Sequence, residues 1–370
     1  MTYSQRYNEL NAQFNLGIDT QIKDSEMAIR FFTFHSQLPC DAATANTSDN
    51  TIEENFSFRY PVFFRQQTTP QTSAILLMHG LNERNWNKYL PWAEYLCEKT
   101  GKAVILFPIA FHINRSPLWW CNPRATKQIM DSRSQRNGAD RSLSFANVAF
   151  SERISEQPYR FYSSGRQSSF DVVQLLDTIK QGQHLLFAKD AQIDFFSYSI
   201  GSFISQIIFM ANPKKLLSNS KLFMFCGGSI FSFMSGESRS IMDKKAFDTL
   251  FEYYICQFEK EEKQPSKRDN LFNAFCSMLS PDRYKERRLT FFNELGSRIA
   301  GISLKNDKVI PYEGVKEALG FDTAAKRIRL MDFEFPYTHE NPFPVTGNVD
   351  HNMVSRSFQT IFAEAAMFLG

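Results

Sequence analysis

The stretch Ile193-Asp194-Phe195-Phe196-Ser197-Tyr198-Ser199-Ile200-Gly201-Ser202-Phe203 decides how this chain is read. A short, Phe-rich apolar run gives way to small residues, and helical spacing then resumes through Ile204, Ile207, Ile208 and Ala211. Strand, tight turn and helix, in that order, are what the pattern predicts. Ser199 stands at the apex of the turn, flanked at two positions' distance by Ser197 and Gly201. A hydroxyl lifted out of a sheet on a sharp turn forces strand and helix into close contact, so the flanking residues must be small. The apex residue itself is expected in a strained backbone conformation.

The pentapeptide Ser197-Tyr198-Ser199-Ile200-Gly201 resembles the nucleophile elbow of the α/β-hydrolase superfamily, Gly-x-Ser-x-Gly, with Ser in place of the first Gly. That resemblance implies an α/β-hydrolase fold, a mostly parallel, doubly wound sheet carrying an inserted α-helical cap, with Ser199 as its nucleophile. The flanking sequence has the matching rhythm. Ala74–Met78, Ala103–Pro108 and Lys221–Cys226 are short, continuously apolar runs, as expected of parallel strands buried on both faces. Between the first two, Trp86–Lys99 has helical spacing and Gly101 as a stop signal. Phe56–Phe64 alternates as a strand, Ser168–Gln181 reads as a helix, and Ile299–Leu304 and Arg327–Phe333 read as the last strands.

The domain organisation expected from this pass is a cover segment over residues 1–51, its polar run 42–51 an exposed loop. A hydrolase core follows over 52–228 and 298–370, with a long insertion at 110–165, and a helical cap occupies 229–297. The 110–165 insertion, with Trp119-Trp120 and several arginines, is either a substrate-binding excursion or a surface insertion packing its aromatics on the core. Within the cap, Phe247, Leu250, Phe251, Tyr254 and Phe258 recur at helical spacing, and Ser280-Pro281 marks a further helix start. The charge runs 260–263 and 283–288 are expected on solvated faces.

By the same resemblance, His79-Gly80-Leu81-Asn82 opens the loop that supplies one oxyanion-hole donor, the backbone N–H of Leu81, and the second donor is the N–H of Ile200. His79 itself is expected to be a structural, hydrogen-bonded side chain. Asp307, in Asn306-Asp307-Lys308-Val309-Ile310-Pro311, matches the acid position, and no carboxylate follows the preceding strand. His351, just ahead of the last helix, matches the base, with His339 in the same loop as the reserve. His35, His112 and His184 precede the elbow, and chain order argues against them.

Bulk properties narrow the class. Hydrophobic content of 43% and charged content of 22% over 370 residues are those of a globular protein, and 37 Phe residues promise a large core and an apolar pocket. A formal net charge of +3 with interspersed signs gives no case for nucleic acid. No apolar run approaches a membrane span, and the first residues lack a secretory pattern, so a cytoplasmic setting is expected. The six cysteines form no CxxC pair and the six histidines are dispersed, which predicts neither a metal centre nor a disulfide framework. The expectation is a cofactor-free serine hydrolase of a small-molecule ester or thioester with an apolar group. Peptidase or acyltransferase chemistry would use the same residues, and a non-catalytic binding protein on this fold is the alternative from another class.

Overall fold

The computed structural model describes residues 1–37, 48–66, 70–138, 140–258 and 268–370. In chain order these form α1 (Tyr3–Gln13), β1 (Thr20–Gln21), β2 (Met27–His35), α2 (Glu53–Phe56), β3 (Ser57–Arg65), β4 (Gln71–Met78), α3 (Leu90–Thr100) and β5 (Ala103–Leu106). Next come α4 (Pro123–Asn137), α5 (Val148–Glu156), α6 (Tyr159–Lys180), β6 (Phe187–Tyr198), α7 (Ile200–Ala211) and β7 (Leu222–Phe225). The chain closes with α8 (Lys244–Glu252), α9 (Asn270–Ser277), α10 (Lys285–Leu295), β8 (Ile299–Leu304), α11 (Tyr312–Leu319), α12 (Phe321–Arg327), β9 (Ile328–Met331) and α13 (His351–Leu369).

Among the described residues the strands make one nine-stranded sheet in the order β1-β2-β3-β5-β4-β6-β7-β8-β9. The pairs from β5 through β4, β6, β7 and β8 to β9 are parallel, and the edge formed by β1, β2 and β3 is antiparallel. With helices on both faces and a strand–turn–helix at Ser199, this is the α/β-hydrolase fold. The period of two is visible in the packing. Ala74, Leu76 and Met78 of β4 face one apolar cluster with Phe195, Leu222 and Met224. Ile75 and Leu77 face the other, with Phe196, Tyr198, Phe223 and Phe225. Buried on both sides, these strands have no polar face to show, which is why they read as unbroken apolar runs.

Within residues 1–51, expected as a cover segment, Thr20–Gln21 and Met27–His35 are strands of the sheet itself. Met27–His35 pairs with β3 along its whole length, from Met27 opposite Arg65 to His35 opposite Ser57. Its N–H and C=O groups need ladder partners wherever its Phe side chains are buried, and β3 supplies them. Of the polar run, residues 42–47 lie outside the described residues, and Asp49 is buried between Arg153 and Arg160 at 2.8 and 2.9 Å.

The 110–165 insertion and the 229–297 block pack on each other. Arg133 of α4 reaches Asp243, the N-cap of α8, through two of its nitrogens, and also binds Glu152 and Ser155 of α5 at 2.8 Å each. Arg166 of α6 forms a fork on Asp269, the N-cap of α9, at 3.0 and 2.8 Å. Helix α6 starts at Tyr159, nine residues before the expected Ser168, because Tyr162, Phe161 and Arg160 are buried against these neighbours. Ser280-Pro281 opens a turn, and α10 itself begins at Lys285. Arg288 is not solvated either: its guanidinium is buried among the carbonyls of Ser277, Pro281, Arg283 and Ala318. The 260–263 charge run lies outside the described residues. Among the described residues, no helix is long and apolar enough to cross a membrane.

Candidate active site

The last residues of β6 run straight into α7, and Ser199 joins them at φ 56° and ψ −126°. Such a conformation in an L residue costs on the order of 1–3 kcal/mol and survives only where packing over-determines it. Here a Cβ on Gly201 would sit 2.6 Å from the carbonyl oxygen of Met78, so only glycine lets α7 lie this close to β4. A Cβ on Gly227, just after β7, would lie 2.1 Å from Ser202 Oγ. Ser197, where the superfamily pattern has glycine, is accommodated because its buried hydroxyl meets Ser205 Oγ of α7 at 2.7 Å.

Ser199 Oγ lies 2.6 Å from His339 Nε2, and His339 Nδ1 lies 2.7 Å from Asp307 Oδ2. All three side chains are buried. The other carboxylate oxygen of Asp307 accepts the N–H groups of Val309 and Ile310 at 2.9 and 2.8 Å. With Asp307 holding one ring nitrogen and the hydroxyl on the other, the imidazole is oriented to receive a proton from Ser199. Tyr198, the residue before the apex, stacks on the His339 ring at 5.6 Å and 15°, and its hydroxyl donates to the His339 carbonyl. Beside Asp307 lies the buried Cys226, whose thiol is pushed well above its ordinary range, first by burial and then by that carboxylate.

His351 is elsewhere. It is the first residue of α13, behind the N-cap Asp350, and its Nδ1 pairs with Ser4 Oγ of α1 at 2.7 Å. The histidine in contact with Ser199 is the reserve, His339, in the loop between β9 and α13. That loop is anchored by Phe333, Phe335 and Phe343 in the core and by Asp332, which accepts from the Tyr337 hydroxyl at 2.9 Å. A helix-starting His fixed by its own cap cannot swing into the sheet, whereas a loop between aromatic anchors can present its side chain there. The signal available in the sequence was Asp350: an N-cap at that position commits His351 to the first turn of a helix.

His79 has the structural part expected of it. Its Nε2 accepts the N–H of Ile109 at 2.9 Å, which leaves the proton on Nδ1 for the carbonyl of Gly80 at 2.8 Å. Burial, and then the neighbouring His112, hold it neutral by pushing its pKa well below the ordinary histidine range. Leu81 and Ile200 border one apolar cavity together with Phe161, Phe203, Ile204 and Phe275. Ile200 is also the first residue of α7, where backbone N–H groups lack intrahelical partners and the helix dipole is positive. A second, more polar cavity shares Leu81 and continues to Trp120, Arg153 and Arg160.

With this geometry in place, the relatives can be set beside it. The whole chain, residues 1–370, matches the model described as a family of unknown function, DUF6051. The chain belongs to that family. No curated protein matches it. Among solved structures, this DUF6051 chain is similar to a cold-adapted esterase from an Arctic intertidal metagenomic library, at 12% identity, with 96% of this chain and 98% of that one covered and a TM-score of 0.46. It is similar to an S-formylglutathione hydrolase from Agrobacterium tumefaciens at 13% identity, covering 96% and 100%, with a TM-score of 0.48. Carboxyl esterase 2 of the fungus Tuber melanosporum gives 11% identity, 94% and 87% coverage and a TM-score of 0.42. Such figures describe a common outline and leave the chemistry to the residues themselves.

Proposed function

We propose that this DUF6051 chain is a serine hydrolase that cleaves a carboxylic ester or thioester through an acyl-enzyme on Ser199. One observation carries the reading: a strained, buried serine whose Oγ lies 2.6 Å from an imidazole that is itself 2.7 Å from a buried carboxylate. In the first step Ser199 Oγ attacks the carbonyl carbon while His339 Nε2 takes its proton. Asp307 keeps the ring in the productive tautomer and steadies the imidazolium that forms. The N–H groups of Leu81 and Ile200 receive the developing oxyanion, a contribution of about 2.7–4 kcal/mol per donor in comparable sites. His339 then hands the proton to the leaving oxygen or sulfur, and a water activated by the same imidazole releases the acid. The apolar part of the substrate occupies the cavity beside Ile200, and the helices of 229–297, with those of 110–165, act as its cap.

The test is labelling by a fluorophosphonate probe. The wild-type chain is expected to be labelled, and Ser199→Ala to lose the label while keeping its far-ultraviolet spectrum and thermal midpoint. An unlabelled wild type, or equal labelling of both proteins, ends the proposal.

A further inference from the structure

Four histidines are buried among the described residues: His79, His112, His184 and His339. Three of them have both ring nitrogens engaged. His79 uses Ile109 and Gly80, His184 uses Leu186 and Tyr60, and His339 uses Ser199 and Asp307. His112 differs. Its Nδ1 lies 2.8 Å from the carbonyl of Ala110, so the proton is on Nδ1 and Nε2 carries a lone pair. That Nε2 is buried and has no hydrogen-bond partner. Burial, and after it the nearby Arg115 and Arg153, hold the ring neutral, with its pKa pushed down to about 4. The other buried side-chain atoms without a partner belong to Trp86, Asn114, Gln206, Ser232 and Ser303, none of which lines either cavity. His112 lines both, at the place where they also share Leu81, Phe161 and Ser164.

The backbone goes to some length to hold the ring there. Phe111 and Ile113, on either side, have φ of 64° and 51°, a region that a β-branched residue enters only when forced. The forcing is visible. Ala110 N–H donates to Ser168 Oγ at 2.9 Å, Phe111 N–H to Asn55 Oδ1 at 3.0 Å and Ile113 N–H to the Glu83 carbonyl at 3.1 Å. Arg115 ties the far end to Asp171 at 2.7 Å, with both side chains fully buried. A strained loop that fixes a bare acceptor on the wall of a cavity it shares with Leu81 and Ile200 is built for a ligand that brings the donor.

We infer that His112 Nε2 accepts a hydrogen bond from a neutral hydroxyl or amide N–H of the substrate, so that the site selects esters carrying such a donor close to the scissile carbonyl. An ammonium donor fits less well, because three cations, Arg84, Arg153 and Arg160, line the same polar cavity against one carboxylate, Glu83, which is itself paired with Lys88. The inference rests on the ester-hydrolase reading and names the substrate class within it. His112 is a specificity residue here: it touches the substrate away from the bond that breaks.

The experiment compares matched substrates on the purified full-length chain. One arm sets para-nitrophenyl β-hydroxybutyrate against para-nitrophenyl butyrate; the other sets glycol monobutyrate against propyl butyrate. In the wild type, kcat/KM is expected to favour the hydroxylated member by roughly tenfold in one arm, which also tells whether the donor belongs to the acyl or the alcohol part. His112→Phe should bring that ratio close to one, with His112→Leu as a second variant should the first not fold, and His112→Gln, which restores an acceptor, should recover part of it. A wild-type ratio near one in both arms, or a preference that survives in His112→Phe or His112→Leu, overturns the inference while leaving a Ser199-dependent hydrolase standing. If no ester is turned over at all, the hydrolase reading fails separately. Calorimetric titration of Ser199→Ala with β-hydroxybutyramide and butyramide then reads the preference from binding alone, and equal affinities overturn it.

Discussion

Replacing His339 and His351 by alanine, one at a time, separates two histidines that lie in adjacent stretches of the chain but in different parts of the molecule. His339 Nε2 is the partner of Ser199 Oγ at 2.6 Å, and under the proposed mechanism its removal takes away both the proton acceptor for attack and the proton donor for departure. In sites of this construction the loss is about four to six powers of ten in kcat. At about 1.4 kcal/mol per factor of ten, that is roughly 5–8 kcal/mol of transition-state stabilisation. His351 loses one contact, Nδ1 to Ser4 Oγ at 2.7 Å, between α1 and α13. A half-buried hydrogen bond of that kind is worth about 1 kcal/mol, and in a chain of this length its loss lowers the thermal midpoint by about 2 °C. Fluorophosphonate labelling rates, para-nitrophenyl butyrate turnover and melting curves on the three proteins give the comparison. His339→Ala should be folded and inert, and His351→Ala active and slightly less stable. A folded, inert His351→Ala, or a His339→Ala protein at wild-type rate, would refute the reasoning.

Three further outcomes are expected. Gly201→Ala places a methyl 2.6 Å from the Met78 carbonyl, so α7 must move off β4; urea denaturation should show a loss of about 1–3 kcal/mol, and Ser199 should label more slowly. Asp243→Ala removes both the N-cap of α8 and the buried partner of Arg133, which should cost about 3–5 kcal/mol and open the 110–165 and 229–297 helices to limited proteolysis, read by gel. His112 and His184 are each pushed from 6.5 down to about 4, first by burial, and His79 well below 6.5, so below pH 6.5 the unfolded chain binds more protons than the folded one. The stability present above pH 6.5 is therefore lost as pH falls towards 4, by about 3 kcal/mol for each of His112 and His184. Urea unfolding across that range checks this, and a flat profile contradicts it.

The parts of the fold that were legible in the sequence are those whose environment repeats along the chain. Ala74–Met78 of β4, with β5 and β7, is buried on both faces, so every residue there reports the same burial and the run is unmistakable. The elbow was legible because close approach leaves small residues as its trace, and Gly201 against Met78 is the contact that enforces it. β2 was not: its Phe-rich run reads as part of a cover segment, because membership of the sheet depends on β3, more than twenty residues further on. The start of α6 was hidden because Arg160, Gly165 and Arg166 break the apolar spacing, and the partners of the two arginines, Asp49 and Asp269, lie in other segments. Of the site, Ser199 and Asp307 sit at positions set by regular elements, the end of β6 and the turn after β8. His339 sits in an irregular loop between β9 and α13, where no periodicity says which residue faces inward, so its role could only be weighed against that of His351.

Helix α1 rests on α3 and on α13, with Tyr3 against Phe343 and Phe358 and its N–H on Ser355 Oγ at 2.8 Å. Partners more than three hundred residues apart make this a late event in the history of each molecule. As the polypeptide leaves the ribosome, α1 emerges more than three hundred residues ahead of α13, and the surface it needs is completed only when that helix follows. Until then, its apolar side chains must wait in solvent or with a chaperone. A chain stopped short of α13 should therefore leave this helix undocked and open to proteases, even with much of the sheet already assembled.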